Sequence, residues 1–208
     1  MTTGSDLLDL SPVIPVVVID DVADAVPVAE ALLAGGIRII ELTLRTPVAL
    51  EAIAAVHKSV PDIVLGAGTV TSPAQAVDAA SAGASFLVTP GTTPELLDAC
   101  IATGLPFLPG ASTVSEAMRL AERGLTALKF FPAEAAGGVD YLKSIAGPLP
   151  ALRFCPTGGI TPTTAPTYLA LPTVGCIGGS WLTPKNALVA KDFARIESLA
   201  KEASTLTH

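Results

Sequence analysis

Eight apolar runs, at residues 13–19, 38–44, 63–67, 85–89, 105–109, 127–131, 152–157 and 175–179, punctuate this chain from end to end. Successive starts lie roughly 20–25 residues apart, the span of one strand, one helix and two short loops. The segments between them are mostly alanine-rich with helical periodicity, as at 22–33 and 48–57. Helix starts are signalled repeatedly by a hydroxyl residue followed by proline: Thr46-Pro47, Ser72-Pro73, Thr93-Pro94, Thr161-Pro162 and Thr183-Pro184. The hydroxyl accepts from an N–H that has no partner inside the helix, and proline at the first helical position gives up only an orphaned donor. Thr113 with Glu116 adds a capping box, and Gly35, Gly83, Gly104 and Gly124 fall where helices should stop. An amphipathic stretch at 6–10 predicts a helix turn or two before the first strand. Eight strands, each followed by a helix, predict a (β/α)8 TIM barrel with a short N-terminal helix, a single domain over residues 1–208. A doubly wound open sheet is the alternative, but no switch point, linker or second domain is marked.

Composition narrows the partners. The formal charge of −7 has no basic stripe beside it, which argues against nucleic acid and anionic membrane. Cys100, Cys155 and Cys176 are odd in number and lack metal-ligand spacing, so they read as reduced core thiols of a cytoplasmic protein. No positively charged segment precedes the first apolar run, so no secretory signal is assigned, and that run is too short to span a bilayer.

Within this frame Lys129 stands out. It sits in the apolar run 127–131, stopped by Pro132, which suits a buried parallel strand. Lysine is rarely fully buried unless paired, and desolvation disfavours its ammonium form. A neutral amine in such a place is a nucleophile for ketones and aldehydes. The bland alternative is a lysine that snorkels to solvent from the end of a short strand. Because strands alternate faces, Ala127, Lys129 and Phe131 share one side, as do Ile39, Glu41, Thr43 and Arg45 on the second strand. An amine, a carboxylate and a guanidinium can therefore meet in one barrel mouth, although buried ion clusters are more often structural.

Barrel enzymes carry their sites at the C-terminal ends of the strands. There the sequence has Arg45, then Thr69 after Gly66-Ala67-Gly68, whose glycines let backbone come close to a bound group, then Pro90. The ends of the seventh and eighth strands are rich in glycine together: Thr157-Gly158-Gly159-Ile160 and Gly178-Gly179-Ser180. Either pair alone reads as a tight turn, whereas both together point to phosphate held by backbone N–H groups and a helix N-terminus.

With these residues in hand the chain resembles the 2-keto-3-deoxy-6-phosphogluconate aldolase family, also known for cleaving 4-hydroxy-2-oxoglutarate. The resemblance rests on IPVV at 14–17, ELTLRT at 41–46, GAGTV at 66–70, TPG at 89–91, PGAST at 109–113, KFFPAE at 129–134, FCPTGGI at 154–160 and CIGGSW at 176–181. It implies a class I aldolase on a (β/α)8 barrel, a cytoplasmic homotrimer acting on a small phosphorylated keto acid, with no metal or cofactor. It implies Lys129 as the imine-forming residue and Glu41 as the proton shuttle. Arg45 and Thr69 would hold the pyruvate carboxylate, with Pro90 and Phe131 lining that pocket. Thr157 would lie beside the substrate hydroxyls, and Gly158, Gly159, Gly179 and Ser180 in the phosphate site. Ala136 and Asp20-Asp21 depart from the family pattern without touching a catalytic position. Two other readings stay open from sequence: a phosphate-binding barrel isomerase or transferase similar to thiamine-phosphate synthase, and a non-catalytic sugar-phosphate binding protein. The first gives no reason for Lys129 to face Glu41, and in the second Lys129 would simply be a salt-bridge partner.

Overall fold

Residues 3–207 are described by a computed structural model. The chain enters through α1 (Gly4–Leu7), then β1 (Val13–Val17), α2 (Val22–Ala34), β2 (Ile39–Thr43), α3 (Ala49–Ser59), β3 (Val64–Gly68), α4 (Pro73–Ser81), β4 (Phe86–Val88) and α5 (Pro94–Ala102). It continues through β5 (Phe107–Leu108), β6 (Gly110–Ala111), α6 (Val114–Glu122), β7 (Ala127–Phe130), α7 (Gly138–Ala146) and β8 (Arg153–Pro156). It closes with α8 (Ala165–Leu169), β9 (Ile177–Gly179), α9 (Lys185–Ala190) and α10 (Phe193–Ser204).

The fold is α/β, and its parallel strands form two arcs rather than the single uninterrupted eight-stranded ladder expected from the sequence. One arc runs β5-β4-β3-β2-β1-β9 and the other β6-β7-β8. The first break comes at Pro109, which has no N–H to give and stands between β5 on one arc and β6, just past the run 105–109, on the other. The Pro109 carbonyl still accepts from the Lys129 N–H at 2.9 Å, so the arcs stay in contact across it. The second break lies between β8 and β9, which touch through isolated parallel bridges at Phe154–Val174 and Thr157–Gly178. Four steps on one side (174 to 178) face three on the other (154 to 157), a bulge-like mismatch that prevents a regular ladder.

Alternation along the strands separates two apolar layers. Outward residues such as Val13, Val17, Ile40, Leu42, Leu65, Leu87, Leu128 and Ile177 pack under the helices. Inward residues Ile14, Ile39, Phe86, Val88, Leu108, Ala127, Cys155 and Cys176 form a second cluster with Leu7 and Leu8 from the N-terminal segment. The N-terminal helix is shorter than the 6–10 expectation and begins earlier. Its start is set by Thr3 and Asp6, which cap it reciprocally.

Helix starts divide by what the hydroxyl can reach. Ser72, Thr93 and Thr113 cap α4, α5 and α6 as expected, with proline at the first position of α4 and α5. Thr46 does not cap a helix; its hydroxyl donates to the Ile19 carbonyl at 2.6 Å, and α3 starts later. Thr161 closes a turn with Thr164 instead, and α8 begins only at Ala165. Pro184 is itself the N-cap of α9, with Thr183 left outside. Asp21, one of the departures from the family pattern, caps α2 by accepting from the Ala23 N–H.

Candidate active site

Glu41 and Lys129 come from strands on different arcs and meet across the interior. Lys129 Nζ donates to Glu41 Oε1 at 3.0 Å, with Oε2 at 3.4 Å. Each side chain is only 3% exposed. Buried charges persist when paired in this way, and deleting one partner would strand the other. The carboxylate fits because β3 opposes it with glycine: a Cβ on Gly68 would strike Glu41, and one on Gly66 would strike the Phe86 ring. The glycines of Gly66-Ala67-Gly68 thus make room for protein side chains, not for the approach of a bound group as the sequence suggested.

Beyond that pair the rim of the site is built from strand ends. Arg45 lies two residues past the end of β2, which stops at Thr43, and its exposed guanidinium donates from Nε to Thr69 Oγ1 at 3.1 Å. Thr69 adopts a left-handed backbone (φ 56°), a sparsely populated conformation for a β-branched residue. Strain of this kind gathers at functional positions because the surroundings must enforce it. Pro90 follows β4, and its carbonyl presses so close to Gly110 that a Cβ there would collide with it. Gly110 is in register with Lys129, so Pro90 borders the lysine through one backbone. The Phe131 ring centroid is 5.7 Å from Lys129 Nζ, within reach of a cation–π contact. Thr157 is buried at the end of β8 and donates to the Cys155 carbonyl at 3.3 Å.

The two glycine-rich ends are neighbours through the Thr157–Gly178 bridge. Gly158 and Gly159 are left-handed (φ 106° and 82°), which L side chains rarely adopt, and Gly158 sits against the Phe131 ring. Gly179 is required by Trp181, whose ring occupies the place of a Cβ, and Ser180 is exposed at the rim. Among the described residues the N–H groups of Gly159 and Ser180 donate to no protein acceptor. Exposed donors on adjacent loops, with no lysine or arginine between them, suit an anion bound by backbone. The helix N-terminus expected behind the first loop is not there: α8 is short and starts at Ala165, well past Gly159.

All eleven residues singled out from the sequence lie toward one end of the strands, where contacts join Arg45 to Thr69, Glu41 to Lys129, and Lys129 through Phe131 to Gly158. Three further groups lie beside the site, of which the sequence had placed only Thr43. Thr43 faces inward above Glu41 and donates to the Val17 carbonyl at 2.9 Å. Thr89 Oγ1 accepts from the Gly110 N–H at 3.0 Å, and Thr92 donates to the Gly110 carbonyl at 3.0 Å, tying the Pro90 loop to the strand beside Lys129. Parity placed Thr43 on the face of Glu41, and TPGTT at 89–93 could have drawn attention to the hydroxyl pair. The third group, Glu134 with Tyr168, is 34 residues apart in sequence and carried no local signal.

The KDPG and KHG aldolase family model matches residues 5–199. A KHG/KDPG aldolase of Escherichia coli K12 is 52% identical over 97% of this chain and 95% of its own length. Among solved structures, a KDPG aldolase from Legionella pneumophila, with pyruvate captured as a covalent carbinolamine, superposes with a TM-score of 0.96 at 46% identity, covering 98% of this chain and 99% of that one. The KDPG aldolase of Zymomonas mobilis ZM4 with 3-phosphoglycerate gives a TM-score of 0.93 at 48% identity, covering 99% of this chain and 96% of that one.

Proposed function

The chain belongs to the KDPG and KHG aldolase family, and from that premise we propose that it is a class I aldolase cleaving 2-keto-3-deoxy-6-phosphogluconate to pyruvate and glyceraldehyde 3-phosphate, with 4-hydroxy-2-oxoglutarate as a second substrate giving pyruvate and glyoxylate. The observation that carries this reading is the buried contact of Lys129 Nζ with Glu41 Oε1 at 3.0 Å. It gives the amine a nearby acceptor for its proton, and so frees the electron pair that adds to the keto carbon.

The cycle then uses few groups. Nζ of Lys129 adds to the 2-keto carbon, and the proton Glu41 took from the amine goes to the departing hydroxyl as water. This leaves Glu41 ionised again and a protonated imine that draws electrons. Glu41 takes the proton of the 4-hydroxyl as the bond between carbons three and four breaks, which releases the aldehyde and leaves a pyruvate enamine. Glu41 returns a proton to the enamine, and water hydrolyses the imine to free pyruvate. One carboxylate serves twice because the two transfers happen in sequence at one face. Arg45, fixed by Thr69, pairs the substrate carboxylate, and Pro90 and Phe131 shape the pyruvate pocket. Thr157 faces the hydroxyls of the substrate, while Gly158, Gly159, Gly179 and Ser180 receive the phosphate through backbone donors and one hydroxyl.

The same reading includes one (β/α)8 domain over residues 1–208 and a homotrimer working in the cytoplasm without metal or cofactor. Support for the barrel is the pair of bridges joining β8 to β9 and the Lys129–Pro109 hydrogen bond across the other break. No described helix is long and apolar enough to cross a membrane. The trimer rests on the family resemblance. Borohydride reduction in the presence of pyruvate tests the central step: it should leave one reduced pyruvyl group on Lys129 and inactivate the enzyme. Label on another residue, or an activity abolished by chelator and restored by a divalent metal, would overturn it.

A further inference from the structure

The segment that follows Lys129 carries a carboxylate the reaction does not use. Glu134 Oε1 accepts from the hydroxyl of Tyr168 at 2.7 Å. Tyr168 is 1% exposed and belongs to the packed layer under the helices, so the far end of Glu134 is anchored to a rigid base. The near end grips the first glycine-rich loop. The Glu134 N–H donates to the Gly158 carbonyl at 3.1 Å, and the Ala133 N–H donates to that of Thr157 at 2.8 Å. The Glu134 side chain also lies against Gly159, where a Cβ would fall 2.7 Å from its Cγ. Tyr168 follows the same loop on α8, so loop, helix, tyrosine and glutamate close into a ring.

We infer that Glu134, clamped by Tyr168, is a positioning residue that holds the Gly158-Gly159 loop in its left-handed conformation and so sets recognition of the phosphate end of the substrate. The inference rests on the phosphate reading given above. Glycine at both loop positions is cheap to distort, and a loop with φ of 106° and 82° needs a wall to select that shape from the many glycine allows. Glu134 supplies the wall by packing and by backbone pairing, and Tyr168 keeps the wall from turning. Burial and the hydrogen bond to Glu134 both push the Tyr168 phenol well above its ordinary range, so it stays a donor throughout the working pH range. A carboxylate beside a phosphate site works against the dianion through like charge, which implies that Glu134 is there for its shape and its hydrogen bond rather than for its charge.

The test compares Tyr168→Phe, Glu134→Ala and Glu134→Gln in the full-length enzyme, with Ser180→Ala as a separate probe of phosphate binding. Tyr168→Phe keeps the buried ring and removes only the donor. Tyr168→Phe and Glu134→Ala should each raise KM for the phosphorylated keto acid by roughly tenfold, the scale of one hydrogen bond to a charged group, with kcat and deuterium exchange into pyruvate held. Glu134→Gln should restore a KM near that of the parent or lower, because its amide oxygen still accepts from Tyr168 while the like charge is gone. Equal losses in pyruvate exchange and in phosphorylated-substrate KM would reduce the ring to general scaffolding and overturn the inference. A Glu134→Gln as impaired as Glu134→Ala would assign the effect to charge and overturn it too. If Ser180→Ala raises KM while Tyr168→Phe and Glu134→Ala do not, the positioning role is wrong and the phosphate reading stands; if none of the variants moves it, the phosphate reading itself is wrong.

Discussion

The same inward-facing side of the strands is apolar at one end and polar at the other, and the change takes only two residues. Ile39, Ala127 and Cys155 lie in a closed floor with Leu7, Leu8, Ile14 and Phe86. One step further along each strand on the same face come Glu41, Lys129 and Thr157, all buried and all hydrogen-bonded. The floor excludes water and gives a fixed base, while the polar tier stores groups that would be costly to bury unless paired. Gly68 and Gly175 mark the difference: the first leaves space for the Glu41 carboxylate, the second for the Leu8 side chain. One end of the interior is thus built to be filled and the other to be occupied by chemistry.

Substitutions can break that contrast in graded steps. The largest effect is expected from Lys129→Met, which keeps a long side chain in the polar tier but removes the amine; turnover should fall to background in a steady-state assay, since among the described residues no other lysine lies on a strand. Residual activity trapped by borohydride at a second lysine would blur the division between tiers. Glu41→Gln should still capture pyruvate but lose on the order of 10²–10⁴ in rate, the usual worth of a placed acid–base group. Deuterium exchange into the pyruvate methyl group should slow in parallel, and unchanged exchange would move the proton shuttle to another residue or to water.

The floor should respond in the opposite currency of stability rather than rate. Leu8 is fully buried there, so Leu8→Ala should cost about 2–5 kcal/mol in denaturant unfolding. The folded fraction should keep its kcat; a rate defect larger than the loss of folded enzyme would show that floor and polar tier are coupled. The smallest effect is expected outside both tiers, at Glu116. Its carboxylate accepts from the N–H groups of Ser112 and Thr113 at 2.9 and 2.8 Å and from both hydroxyls. Burial pushes this carboxyl up, but those hydrogen bonds together outweigh it and hold the group below its ordinary value. A depressed folded-state value means that the unfolded chain binds more protons, so the contribution is present above the ordinary carboxylate range and is lost as pH falls through the folded-state value. Glu116→Ala should therefore cost about 1 kcal/mol at neutral pH, as a lost cap does, and progressively less in acid. Equal costs at both ends of that range would mean that the cap is held by packing instead.

Local chemistry made a large part of this molecule legible. The strand–helix alternation, the caps at Ser72, Thr93 and Thr113, and the shared face of Glu41 with Lys129 all follow from periodicity, hydroxyl acceptors and alternation, which act over a few residues. Thr46, Thr161 and Thr183 look the same in sequence and do something else. The Ile19 carbonyl that claims Thr46 is 27 residues away, and no window of the chain contains both groups.

The family motifs singled out the candidate residues, and a buried lysine paired with a carboxylate narrows the chemistry open to them. Tertiary structure decided how those residues are held. The division of the sheet into two arcs falls at Pro109, between β5 and β6, where a residue without an N–H interrupts the pairing. The glycines of the third strand turned out to serve Glu41 and Phe86, which only the opposing strands could reveal. Tyr168 reaches Glu134 because α8 folds back over the loop it follows. Periodicity and capping are properties of neighbours along the chain; space and hydrogen-bond partners are properties of neighbours across it, and those exist only once the strands have come together.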